Sequence, residues 1–211
     1  MFKNKKQAEA IVGTLSKPSK MPGYAYSTPA KRCIIGQKMR QVAGSICAFC
    51  YALKGRYVFP NVQAAMEKRF ASLTHDLWVD AMTYLIGKAN NPHFRWHDSG
   101  DLQGIWHLEK IVKVAKNLPH ISFWLPTREY SFVSEYIAKG GEVPFNLTIR
   151  LSALMMNGPA PVGLAERLGL CVSGASNKGE FNCPSSKQGN KCGSCRACWH
   201  KNEFAINYKK H

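Results

Sequence analysis

Apolar residues recur along the middle of the chain at spacings that alternate between helical and strand periods. Over residues 60–88, Val62, Ala65, Met66, Phe70, Leu73, Leu77, Val79, Met82 and Leu85 fall near a helical repeat and predict one long helix. Residues 94–97 predict a buried strand that runs into the turn Asp98-Ser-Gly-Asp101. An amphipathic helix is expected over residues 105–117, with Leu108, Ile111, Val112 and Ala115 on one face. Further strands are expected at residues 121–125, 146–151 and 170–173, with short helices at 132–138 and 164–168. Strands alternating with helices at this spacing imply right-handed βαβ units and a parallel sheet. Four to six units fit the length. The expected fold is therefore α/β: a partial (β/α) barrel or open parallel sheet, followed by a cysteine-rich C-terminal cluster-binding segment. Residues 1–32, rich in Lys, Pro, Ser and Gly, read as an irregular basic arm. Residues 33–175 form the expected partial barrel with a three-cysteine loop, and residues 176–211 the cysteine-rich segment.

In such sheets ligands bind at the carboxyl ends of the strands. Polar residues cluster there: His97, Asp98, Ser99 and Asp101 after one strand, Thr127, Arg128 and Glu129 after the next, Arg150 and Ser152 at a third. His97 and Asp98 are candidates for an acid–base pair, because histidine titrates near neutrality. Adjacent residues at a strand end point to opposite faces, so one of the two at most enters a pocket, and a hydrogen-bonded turn is the alternative.

The formal charge is +16 over 211 residues. Such a field attracts polyanions, so nucleic acid or a nucleotide-like anion is the expected partner. Phe49, Tyr51, Tyr57 and Phe59 stand near Lys54 and Arg56, a combination suited to stacking bases, although most of the chain's aromatics read as core. No apolar run approaches the ~20 residues that span a bilayer, and the N-terminus lacks the apolar core of a secretory signal. A cytoplasmic protein without a membrane partner is expected.

Eight cysteines fall mainly into two groups. The terminal group is Cys183, Cys192, Cys195 and Cys198, the last three at successive x₂ spacings. Recurrent CxxC units point to metal-bound thiolates in a reducing compartment rather than to a disulfide framework. Cys192, Cys195 and Cys198 do not divide into two pairs, so a 4Fe-4S cluster is favoured over structural zinc; His200 keeps a zinc site as the alternative. The front group is Cys33, Cys47 and Cys50. Three thiolates would leave one iron of a four-iron cluster open to a substrate or cofactor, unless Cys171 or another residue closes it.

Cys47-Ala-Phe-Cys50-Tyr51, ending a three-cysteine loop ahead of a partial βα barrel, resembles the radical SAM superfamily. The superfamily's usual Cys-x₃-Cys-x₂-Cys is departed from here, because thirteen residues separate Cys33 from Cys47. A widened first gap is similar to that of phage-encoded proteins related to spore photoproduct lyase. Together with Arg95-Trp-His-Asp-Ser-Gly-Asp101 and the terminal Cys-x₂-Cys-x₂-Cys-Trp, the chain resembles the phage "gene product 88" family over about residues 13–200. The superfamily resemblance implies that Cys33, Cys47 and Cys50 hold a 4Fe-4S cluster that binds S-adenosyl-L-methionine (SAM). It implies that Ser99, Gly100 and Asp101 contact the SAM amino group, and that Arg128 or Arg150 binds its carboxylate bidentately. An auxiliary cluster on the terminal cysteines, a reductant and expression in the host cytoplasm complete the expectation. The rival expectation is a non-enzymatic iron–sulfur or zinc protein that binds DNA or RNA.

Overall fold

The computed structural model describes residues 2–176, 181–202 and 205–209. Its centre is an open, all-parallel sheet of seven strands. In chain order these are β1 (Tyr24–Tyr26), β2 (His93–Trp96), β3 (Ser122–Thr127), β4 (Leu147–Ser152), β5 (Cys171–Gly174), β6 (Phe181–Asn182) and β7 (Ile206–Asn207). Their spatial order is β1-β2-β3-β4-β5-β7-β6. The helices are α1 (Lys5–Val12), α2 (Ile34–Met39), α3 (Pro60–Ser72), α4 (Trp78–Lys88), α5 (Ile105–Asn117), α6 (Tyr130–Ala138) and α7 (Val162–Leu168).

The first five strands lie side by side in sequence order. Right-handed crossovers that step steadily one way keep their helices on one face, and α1, α4, α5 and α6 pack successively against one another there. That face is the core, built from Tyr26, Phe94, Trp96, Phe123, Leu125, Leu147, Ile149, Leu151 and Val172 under α4 and α5. The step from β6 to β7 reverses direction, because β7 inserts between β5 and β6. A right-handed connection must then cross the opposite face, and the segment carrying the terminal cysteines does so.

Its seat is made by the side chains that alternate away from the core. Trp199 donates its indole N–H to the Phe94 carbonyl at 2.9 Å and meets the rings of His93 and Trp124 edge-on. Thr148 donates to the Trp199 carbonyl at 2.9 Å. Arg150, fully buried, donates to the carbonyls of Val172, Ala197, Cys198 and His200 and to Oδ1 of Asn202. A charge with no carboxylate against it is thus satisfied by oxygen dipoles, one from β5 and the rest from this segment.

Two sequence expectations change. Residues 60–88 form two helices, broken between Ser72 and Trp78. Leu77 N–H turns back to His75 Nδ1 at 3.1 Å, and Lys110 from α5 donates to the carbonyls of Leu73, freed by the break, and of His75, which also accepts the Trp78 amide. Burial of Trp78 beneath α5 redirects the second helix. Residues 1–32 do not form an irregular arm: α1 buries Ala8 and Val12 against α4, and β1 is the first strand of the sheet. The buried Tyr26 hydroxyl ties them by donating to the Val12 carbonyl at 2.8 Å. Among the described residues, no helix is long and apolar enough to cross a membrane.

Arg150→Met should remove about 3 kcal/mol or more of stability by orphaning several buried acceptors. Limited proteolysis should then cut residues 183–202 first, while circular dichroism still reports the helices.

Candidate functional site at the carboxyl edge of the sheet

Each strand from β1 to β4 contributes a polar tip to one edge of the sheet, and the front cysteine loop arcs across it. Cys33 follows the turn Ala30–Arg32 and precedes the first residue of α2. Glu129, just after β3, accepts the Ile35 amide of that helix at 2.7 Å and so anchors the Cys33 end of the loop. Farther on, Ile46 N–H donates to the Leu154 carbonyl and Met156 N–H to the Gly44 carbonyl, both at 2.9 Å. The chain leaving β4 therefore holds the approach to Cys47. Ser45 Oγ accepts the Ala48 amide at 3.0 Å and caps the short turn Cys47–Phe49. Beyond Cys50, the Tyr51 hydroxyl donates to the Asp98 carbonyl, and the Tyr57 hydroxyl to Asp98 Oδ2 at 2.9 Å. Ser27 Oγ donates to the other oxygen of the same carboxylate.

Asp101 ties the edge together. Its Oδ1 accepts from Thr127 Oγ1 at 2.6 Å and from its neighbour Leu102 N–H at 2.8 Å, and its Oδ2 from Arg128 N–H at 2.9 Å. Burial pushes its pKa up, against the pull of these donors. The loop that carries Cys33, Cys47 and Cys50 runs beside it, near enough for the Asp101 charge to act on Cys33 and Cys47. Burial raises the Cys33 pKa, and Asp101, Cys50, Cys47 and Glu129 raise it further. Burial likewise raises Cys47; Arg128 and Arg40 work against that rise, while Cys50 and Asp101 add to it. Thiols from distant positions thus come within electrostatic reach of one another: the charges of Cys47 and Cys50 add to the rise at Cys33, and Arg128 is the adjacent cation at Cys47. Arg128 is held by its Nε, which donates to the Ala153 carbonyl at 3.0 Å.

The other nominated residues have different surroundings. Ser99 Oγ donates to the Thr28 carbonyl at 2.9 Å, and Gly100, at φ +89°, lies so close that an added Cβ would stand 1.9 Å from Thr28 Oγ1. These two join the β2 edge to β1. His97 turns into the core, its ring 5.2 Å from that of His107, and burial holds its pKa down at about 3 with Arg95 adding to the effect. The two members of the candidate acid–base pair are thus separated: Asp98 stays at the edge as an acceptor for the loop, and the His97 ring lies in the core. Of the two arginines named as alternatives for a carboxylate, Arg150 has its donors on the terminal segment and on the Val172 carbonyl. Cys171 opens β5 in register with Arg150, two residues below the Ser152–Ser173 edge.

In the terminal group, burial raises Cys192, with Cys183 adding to it, Lys20 opposing and Cys195 adding again. Cys198 is pushed up to about 11 by burial; Tyr208 and Arg150 work against the rise and Cys183 adds to it. Its sulfur lies 3.2 Å from the Tyr208 hydroxyl. The four thiols share one neighbourhood, and all eight cysteines are unpaired. As placed, no three His, Cys, Asp or Glu side chains among the described residues converge closely enough to hold a metal ion. The donor sets fit a soft metal in chemistry, being gathered unpaired thiols with cations beside them.

Sequence reading missed Arg95. Its guanidinium lies 4.3 Å over the Trp124 ring. Burial opposes its charge, but Tyr51, Asp98, Tyr208 and Tyr57 outweigh burial and keep it protonated. It stands between the front loop and the terminal segment. Its sequence signal is its place inside a strand at the head of Arg95-Trp-His-Asp-Ser-Gly-Asp101, where the resemblance assigns it no role.

A family model described as gene product 88 matches residues 2–201. The chain belongs to that family. Comparison with curated proteins and with solved structures returned no match. The match covers both cysteine groups and every strand except β7, so the edge loop and the seat of the terminal segment are parts of the gene product 88 region.

His97 and His107 supply a pH test of the buried edge. Burial depresses both below the ordinary 6.5; Arg95 adds to the effect at His97, and His97 and Lys110 add to it at His107. Below that value the unfolded chain takes up protons that the folded chain refuses, so stability falls as pH drops from about 6.5 toward 3. Each histidine should contribute a slope of about 1.4 kcal/mol per pH unit. Urea midpoints across this window should fall less steeply in His107→Phe than in the parent chain.

Proposed function

We propose that this gene product 88 protein is an iron–sulfur protein with two thiolate-ligated centres, the front one a site of SAM-dependent chemistry on nucleic acid or a nucleotide. The observation that carries the reading is that one loop, pinned to the carboxyl edge of a parallel sheet where α/β proteins bind ligands, carries Cys33, Cys47 and Cys50. In this reading Cys33, Cys47 and Cys50 hold one four-iron cluster, and Cys183, Cys192, Cys195 and Cys198 hold the other. A cluster bound by three thiolates supplies an electron and an open iron site to its ligand.

The chain's own residues supply the rest. Arg128, fixed through Nε, keeps its outer nitrogens for an anion such as an amino-acid carboxylate. Its charge also offsets thiolate charge at Cys47. Asp101 holds Arg128 in place through its backbone, and its carboxylate borders the same space. Glu129 fixes the Cys33 end of the loop, and Asp98 the Tyr51–Tyr57 end, so both limits of the loop are pinned to the sheet. The terminal centre lies on the opposite face from the helices, seated on Arg150 and Trp199, and has a structural or electron-relaying place. The phage family suits expression in a host cytoplasm, where thiols stay reduced.

A second reading keeps the clusters and the basic surface without turnover, as a nucleic-acid-binding protein. Protein purified without oxygen should carry about eight irons and eight sulfides per chain. The triple change of Cys33, Cys47 and Cys50 to Ala should leave about half of them, and the matching change of Cys192, Cys195 and Cys198 the other half. Zinc alone in a colourless protein would end both iron–sulfur readings. SAM added to reduced protein should alter the spectrum of the front cluster and yield 5′-deoxyadenosine. Arg128→Gln should weaken that response about tenfold or more. Iron without any response to SAM would favour the second reading.

A further inference from the structure

Past Cys50 the chain makes two more short turns, Tyr51–Leu53 and Gly55–Val58, and large rings on either side of Cys50 are about half exposed. Phe49 is 43% exposed, Tyr51 44% and Phe59 52%. Phe49, Tyr51 and Tyr57 line a cavity of about 350 Å³ together with Lys54, Gly55 and Arg56. That volume sits near the low end of the ~300–1,000 Å³ found for ligand pockets and suits one nucleotide rather than a longer folded ligand. Tyr51 and Tyr57 meet at 62° with centroids 5.7 Å apart, so the rings form a corner rather than a closed stack. Both hydroxyls are anchored on Asp98, which holds the corner rigid.

The charge around this corner is one-sided. From residue 10 to residue 66 the chain contains no Asp or Glu, while Lys17, Lys20, Lys31, Arg32, Lys38, Arg40, Lys54 and Arg56 fall within the same stretch. Neither Lys54 nor Arg56 joins an ion pair among the described residues, and both are exposed. The one carboxylate at this corner, Asp98, is buried and accepts from the Tyr57 and Ser27 hydroxyls, so rings flanked by exposed cations match a ligand with flat π faces and a phosphate backbone.

We propose that this groove binds single-stranded nucleic acid, with one unstacked base against Phe49, Tyr51 and Tyr57 and the flanking phosphates on Lys54 and Arg56. Single strands are specified because a ring stacks only on an open base face, and in a duplex both faces are covered by neighbouring pairs. Cys50 stands between the lining residues Phe49 and Tyr51 in the chain, so the groove adjoins the front cysteine loop. This names the polyanion of the proposed function and its place. What happens at the thiols rests on that reading; binding in the groove needs no metal.

Fluorescence anisotropy with labelled single-stranded DNA, single-stranded RNA and duplex DNA of one length tests it on the full chain, with and without bound iron. The expected result is at least tenfold tighter binding of a single strand than of the duplex; comparing the two single strands identifies which sugar is preferred. Phe49→Ala should weaken single-strand binding about fivefold or more. Phe49→Leu, which keeps an apolar side chain but no ring, should weaken it similarly and guards against a folding defect. Lys54→Ala combined with Arg56→Ala should lower the slope of log affinity against log salt by about 1.4, at ~0.7 per lost phosphate contact. Lys113→Ala with Lys116→Ala, on the exposed side of α5, should leave that slope unchanged. Duplex bound as tightly as single strand, or a slope insensitive to Lys54 and Arg56, would overturn the proposal. Unchanged affinity in both Phe49 variants would overturn it too. Single-strand binding that persists in iron-free protein supports the groove even if the cluster reading fails.

Discussion

Handedness of the strand connections is the constraint on which this structure rests. A right-handed crossover that always steps forward along a sheet leaves its helix on the same side, and five strands in sequence order make one helical face of the molecule. The opposite face is then bare, with Arg95, Trp124, Thr148 and Arg150 pointing from it. A single reversal, β7 entering between β5 and β6, carries the next connection across that bare face. The terminal cysteines lie there because of that reversal, and the front cysteines lie at the strand ends because β1 feeds directly into their loop.

Polar side chains then lock both cysteine segments to the sheet. Arg150 gives its donors to carbonyls of the terminal segment, and Trp199 anchors on the Phe94 carbonyl. At the edge, Asp98, Asp101 and Glu129 each accept from a different piece of the loop or of the neighbouring strand end. Buried carboxylates and guanidinium groups are costly unless satisfied, so each of these interactions restricts the loop to one arrangement. Arg95 joins the two systems, standing on Trp124 between Tyr51 and Tyr208.

Much of the α/β reading was legible. The helix at Ile105–Asn117 and strands β2 to β5 follow from periodicity, because their apolar faces are long enough to show a repeat. β1 escaped notice because three residues cannot display an alternation, and α1 because its buried face is only Ala8 and Val12 among lysines. The break after Ser72 was hidden for a different reason. Both halves keep a helical repeat, and only the burial of Trp78 and the Lys110 contacts with the carbonyls of Leu73 and His75 separate them. At the site, Asp101 and Arg128 were nominated from their place at strand ends and do border the front thiols. His97 and Arg150 were nominated on the same grounds, yet one faces the core and the other the opposite face.

Spacing alone determined that the thiols form two groups and that the chain alternates strand and helix, since both are properties of neighbouring residues. Charge alone raised the expectation of a polyanion as partner. Which polar side chains share the edge with Cys33, Cys47 and Cys50 was decided only by the tertiary structure. A side chain at a strand end can turn to either face or into the loop, and the choice depends on partners far away in sequence. Glu129 finds Ile35, Asp98 finds Tyr57, and Arg150 finds Cys198 only after the crossovers have brought those segments together.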